Sequence, residues 1–130
     1  MLRKTKWLFK EATLRLKYMT ENDCLFCNII KGKLATHKVL ETKNVLAIYD
    51  VNPVAKIHIL IIPKKHIESV MTVSDVHAND LVNLFEAAQK IVNDRKLDAF
   101  RLAFNGGKYQ HVAHLHMHLL AGGKVEWSKL

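Results

Sequence analysis

The sequence predicts an α+β domain: a mostly antiparallel sheet with one long helix on a face and a short helix ahead of it. Three observations carry this prediction. The segment Ile57–Pro63, IHILIIP, is apolar at positions of both parities, as a buried central strand must be. Leu81, Leu84, Phe85, Ala88, Ile91 and Val92 recur at helical spacing and make one apolar stripe. Near the C-terminus, QHVAHLHMHLL alternates at period two, the mark of a strand.

The elements follow in order. CLFCNIIKGK, beginning at Cys24, reads as a short helix stopped at Gly32. Residues 37–42 and 44–49 read as strands flanking a turn at Lys43. DVNPVAK, with Pro53, is a loop leading into the central strand. Ser74 is the expected N-cap of the long helix. Residues 99–105 form the next strand, 106–109 a Gly-containing turn, and 112–120 the last strand, which ends at Gly122 and Gly123.

At 130 residues and 49% hydrophobic, the chain suits one packed domain. No apolar run approaches the roughly 18 residues that span a bilayer, so no membrane span is expected. The formal charge is +8. Residues 1–18 hold six basic side chains (Arg3, Lys4, Lys6, Lys10, Arg15, Lys17) against Glu11, a share of +5, which leaves +3 for residues 19–130. The body is only mildly basic, without a basic patch interleaved with aromatics, so no specific nucleic-acid partner is expected. Trp7, Leu8, Ala12 and Leu16 give residues 1–18 a helical apolar set. The segment is basic and poor in acids, like a weak organelle-targeting peptide, and is read as a dispensable extension, with Met19 an alternative start. Residues 19–130 form the domain. The two cysteines, Cys24 and Cys27, are too few for a secreted disulfide scaffold and point to metal or redox work in a reducing compartment, hence a cytoplasmic setting. The terminal SKL matches a peroxisomal address, which carries meaning only in a eukaryote.

Alternation assigns faces to the last strand. Ala113, Leu115, Met117 and Leu119 form a wholly apolar set and define the core side. His114, His116 and His118 share the other side, successive rings roughly 6.5–7 Å apart along the chain. Two chemistries suit such a face. The imidazoles bind a catalytic metal. Or a neutral imidazole attacks phosphorus while a protonated neighbour and backbone donors stabilise the charge. The Gly-containing turn NGGKYQ, with Gln110 and His111, favours the second, because its N–H groups suit an anion.

HVAHLHMHLL, CLFCNIIKGK, VLAIYDVNPVAKIHILIIPKKHI and the terminal LLAGG with its tryptophan strongly resemble, in the same order, the histidine triad nucleotide-binding (HIT) family. The resemblance covers residues 23–127. LLAGGKVEW is similar to the Hint branch, the nucleoside phosphoramidases. It implies a homodimer joining two sheets into one, a purine nucleotide substrate and the following roles. His116 is the nucleophile, His118 contacts the phosphate, and His58 and His114 complete the catalytic set. Asp50 holds the ribose. Leu25, Phe26, Ile29, Ile48 and Val51 line a slot for the base. Asn105 and Gln110 contact the phosphate end, and Trp127 shapes the leaving-group pocket, that of the partner subunit. Cys24, Cys27, His66 and His114 are the implied ligands of a structural zinc; no catalytic metal is implied. A thioredoxin-like role does not suit this C-x-x-C pair, which follows no strand.

One departure stands out. The Hint branch has Gly-Gln-Ser-Val where this chain has Tyr109-Gln110-His111-Val112. His111 replaces the serine near the leaving group, so rate and leaving-group preference are open. Two alternatives to a phosphoramidase therefore stand beside it: a nucleotide sensor or scaffold with weak activity, and a dinucleoside polyphosphate hydrolase of the Fhit branch.

Overall fold

The computed structural model describes residues 23–130. The expectations for residues 1–18 and for Met19 lie outside the described residues. A short helix α1 (Leu25–Ile30) leads into strands β1 (Lys38–Glu41), β2 (Val45–Tyr49) and β3 (Ile57–Pro63). The long helix α2 (Ala78–Arg95) follows, then β4 (Arg101–Ala103) and β5 (Met117–Ala121). The five strands form one antiparallel sheet in the order β1-β2-β3-β5-β4. This is the predicted α+β architecture, and β3 is central as its two-sided apolar pattern requires.

Strand alternation divides the sheet between two cores. On one face Val45, Ala47, Ile59, Ile61, Met117 and Leu119 pack against Leu84, Ala87, Ala88 and Ile91 of α2. On the other, Leu46, Ile48, Leu60 and Ile62 pack against Cys24, Phe26 and Cys27 from the start of α1. The apolar parity of the last strand therefore does face the core, through Leu115, Met117 and Leu119. The histidine parity faces the α1 side and is itself buried.

Several boundaries differ from expectation. Ser74 starts a 3-10 turn (Asp75–His77), and α2 begins after it. Phe85 belongs to the apolar stripe by spacing but lies 47% exposed, whereas Ala87 is buried. The stripe was drawn about one position too far round the helix. The last strand starts at Met117, not at residue 112. The reason lies in its partner. Ile61 pairs with Met117, two residues before β3 ends at Pro63. Proline has no N–H to continue a ladder. Beyond that point Leu115 N–H donates to the Ile67 carbonyl, outside any strand.

Candidate active site

Ten residues converge on the α1 side of β3 and β5: Cys24, Phe26, Cys27, Asp50, His58, His66, Asn105, His114, His116 and His118. They form two clusters that meet at the segment preceding β5.

The first cluster is fixed by its hydrogen-bond directions. Val54 N–H donates to His58 Nδ1 over 3.1 Å. Nδ1 must therefore be the acceptor, and a neutral His58 carries its proton on Nε2. That Nε2–H lies 2.8 Å from His118 Nδ1 and 3.3 Å from an Asp50 carboxylate oxygen. His118 Nδ1 accepts, so His118 presents Nε2–H at its outer edge. The Asn105 side-chain nitrogen stands 3.4 Å from that atom, and the other setting of the amide brings its oxygen there as the acceptor. One backbone amide thus sets the tautomer of two imidazoles. Burial pushes the His118 pKa down to about 3, helped by the neighbouring His116 and His58. Burial also lowers His58, opposed by the Asp50 charge. The expected protonated neighbour is corrected: His118 is a neutral donor in the resting site.

His116 is held differently. Its Nδ1–H donates to the His114 carbonyl over 2.7 Å. The Nε2 atom of the neutral ring therefore carries a free lone pair, the state a nucleophile needs. Burial lowers its pKa and keeps it neutral. The His116 and His118 rings stand 5.1 Å apart.

The second cluster consists of Cys24, Cys27, His66 and His114, whose ligating atoms all lie within 4.8 Å of one another. His114 Nδ1 is 3.3 Å from Cys24 Sγ, 3.5 Å from Cys27 Sγ and 3.2 Å from His66 Nδ1. Cys27 Sγ is 3.3 Å from His66 Nδ1. Ligands of a tetrahedral zinc with ordinary bond lengths stand about 3.3–3.8 Å apart, so the set is the right size. The outer nitrogen of His114 donates to the Pro63 carbonyl over 2.8 Å, which leaves Nδ1 unprotonated and aimed inward. Two thiols and two imidazoles fit a closed structural site. Asp50, His58 and His118 also converge closely enough for a metal. There the hydrogen bonds argue against one. With Val54 N–H on Nδ1, His58 could ligate through Nε2 only as an imidazolate.

The expected base slot is partly assembled. Leu25, Phe26, Ile29 and Ile48 share one apolar cluster, whereas Val51 is 86% exposed in the loop after β2. His111 is half-buried, and its electrostatic influence reaches both His116 and His118. Gln110 requires a correction. Its side-chain nitrogen donates both hydrogens to backbone carbonyls, of Glu68 at 2.8 Å and Val112 at 2.9 Å. The Tyr109 and Gln110 backbone amides are likewise committed, to Gly106 and Gly107. These donors hold the turn together and are not presented to an anion. Trp127 is half-exposed and packs against the Arg101 guanidinium, 5.5 Å from its ring centre.

A family model described as "Scavenger mRNA decapping enzyme C-term binding" matches residues 23–129. A histidine triad protein from Clostridium difficile has a structure similar to this chain at a TM-score of 0.75, with 40% identity over 79% of this chain and 93% of that one. The chain belongs to the histidine triad family. A histidine triad family hydrolase from Legionella pneumophila is likewise 40% identical, at a TM-score of 0.76, over 82% of this chain and 99% of that one. The chain is also 36% identical over 99 residues to the adenosine 5'-monophosphoramidase of Saccharomyces cerevisiae, covering 75% of this chain and 61% of the yeast protein. His114, His116 and His118 each have a different anchor: the Cys2His2 cluster, the His114 carbonyl, and His58.

Sequence reasoning missed the groups that set these protonation states. They are the Val54 N–H and the carbonyls of Pro63 and His114, and backbone atoms leave no side-chain signature. Among the described residues no helix is long and apolar enough to cross a membrane.

Proposed function

We propose that the chain hydrolyses purine nucleoside phosphoramidates, or related nucleoside monophosphate esters, through a nucleotidyl-histidine at His116. The observation that carries this reading is the anchoring of His116 Nδ1–H on the His114 carbonyl, which frees Nε2 for attack. The kinship to a yeast phosphoramidase supports the substrate class.

In the first step His116 Nε2 attacks the α-phosphorus. The phosphorus–nitrogen bond to the leaving amine breaks, and the amine departs with a proton taken from solvent. His118 Nε2–H donates to a non-bridging oxygen as charge builds there. In the second step water attacks phosphorus and gives up a proton to solvent, the bond to His116 breaks with its electron pair returning to Nε2, and nucleoside monophosphate leaves. The base lies against Leu25, Phe26, Ile29, Ile48 and Val51, and Asp50 accepts from the ribose hydroxyls. Cys24, Cys27, His66 and His114 hold a structural zinc, which acts as a crosslink between α1 and the segment preceding β5 and takes no part in bond making. A homodimer places the partner's Trp127 at the leaving-group side. Mass spectrometry of enzyme quenched during turnover of an adenosine phosphoramidate tests the reading. A nucleotidyl adduct on His116 is expected, and turnover without one rejects the mechanism.

One observation favours a second reading, a nucleotide sensor with weak turnover: the imidazole of His111 stands where the resemblance to the Hint branch implies a serine. Binding of adenosine monophosphate with no hydrolysis of the phosphoramidate would select it.

A further inference from the structure

Phe26 lies between the two cysteines of the Cys2His2 cluster, on the first turn of α1. It was expected to line the base slot. Its ring, 5% exposed, also packs edge-to-face on His116, with centres 5.0 Å apart and planes at 86°. The same ring meets His114 at 5.9 Å and 72°. Cys24 caps the helix, its sulfur accepting from Cys27 N–H, so the turn that carries Phe26 is pinned at both ends by cluster residues. His114, the fourth member, offers the carbonyl that holds His116 Nδ1.

The nucleophile thus has two supports, and both lead back to one cluster. The hydrogen bond fixes which nitrogen is free. It leaves the ring able to swing about its bond to the chain, and a ring-on-ring contact perpendicular to it removes that freedom. We infer that Phe26 is a positioning residue for His116: with the His114 carbonyl it forms a two-point clamp that transmits the integrity of the Cys2His2 cluster to the attacking nitrogen. The inference rests on the assignment of His116 as nucleophile. It places the cluster in the reaction through orientation, with no chemical step of its own.

Phe26→Leu separates the clamp from a mere wall of the base slot. It keeps an apolar side chain against the nucleotide and removes the ring. Turnover of an adenosine phosphoramidate is expected to fall about tenfold in kcat with KM within about twofold, the pattern of a lost transition-state geometry. A rise in KM equal to or larger than the fall in kcat overturns the clamp. A second readout does not use turnover. In nitrogen-15 histidine spectra at fixed pH, the His116 Nδ1 proton, identified by its loss in His116→Ala, is expected to exchange faster in Phe26→Leu. Metal content should stay at the wild-type level. If the wild type proves inactive, the phosphoramidase reading fails, and an unchanged His116 proton in Phe26→Leu still overturns the clamp. Phe26→Met provides the same measurements should Phe26→Leu fail to fold. Phe26→Tyr, which retains the ring, is expected to keep most of kcat; loss equal to that of Phe26→Leu counts against the clamp.

Discussion

His58 Nε2 lies 2.8 Å from His118 Nδ1, and Val54 N–H occupies the other nitrogen of His58. Proton positions therefore run in one direction, from the loop after Asp50, through two rings, to the outer edge of His118. A site built this way can donate a hydrogen bond to an anion without holding a buried positive charge, which would be costly to desolvate. Burial favours the neutral form of both His116 and His118, and the two rings differ in which nitrogen carries the proton.

His116→Ala is expected to lower kcat by about a thousandfold or more while leaving the affinity for adenosine monophosphate near that of the wild type. The methyl group removes the attacking lone pair but none of the apolar slot. Single-turnover assays with isothermal calorimetry measure both quantities. Loss of affinity in step with activity would assign His116 to binding.

Folding stability should fall in mild acid. His118 has a native pKa of about 3 against 6.5 for an unperturbed histidine, and His58 is shifted in the same direction. The unfolded chain therefore binds protons that the native site refuses. The stabilising share is complete above about pH 6.5 and drains as pH drops below that value. From pH 7.5 to pH 5 the loss attributable to His118 is about 1–2 kcal/mol. Urea melts at the two pH values measure it, and His118→Asn should show a flatter pH dependence. An equal slope in the variant would place the acid sensitivity elsewhere.

Gln110→Ala should destabilise the fold by about 1–3 kcal/mol, since the carbonyls of Glu68 and Val112 lose their shared donor in a buried setting. The turn carrying His111 would loosen with it. Thermal melts check the first effect and KM for the leaving-group portion checks the second. A variant as stable as the wild type would mean that water replaces the amide.

One zinc per chain is expected by elemental analysis of protein purified without chelator, and Cys24→Ser or Cys27→Ser should abolish stoichiometric binding. Metal removal should lower the melting temperature by several degrees, because the cluster ties α1 to the segment before β5. Activity restored by magnesium in the zinc-free protein would instead indicate a metal among the reacting groups.

The histidine face was legible because period two is visible in side chains, and Leu115, Met117 and Leu119 do enter the core. The central position of Ile57–Pro63 was legible for the same reason. Where the last strand begins was not. Met117 is the first paired residue because Pro63 ends the neighbouring ladder, a relation between residues far apart in sequence. The Cys2His2 grouping of Cys24, Cys27, His66 and His114 came through resemblance; spacing alone shows the C-x-x-C pair but not which imidazoles join it. Gln110 was misread because an amide beside a Gly-containing turn looks like an anion donor, and only the structure reveals that both hydrogens are already used.

The early end of the sheet has a chemical meaning. β5 lies between β3 and β4, and a carbonyl along it is drawn into pairing where a partner strand stands alongside. Had the ladder run on through His114, that oxygen would be claimed by a neighbouring strand. His116 would then have no fixed acceptor for Nδ1–H, and either nitrogen could carry the proton. Pro63, three residues before His66 and four before Ile67, thereby bears on which nitrogen of the distant His116 ring carries the proton.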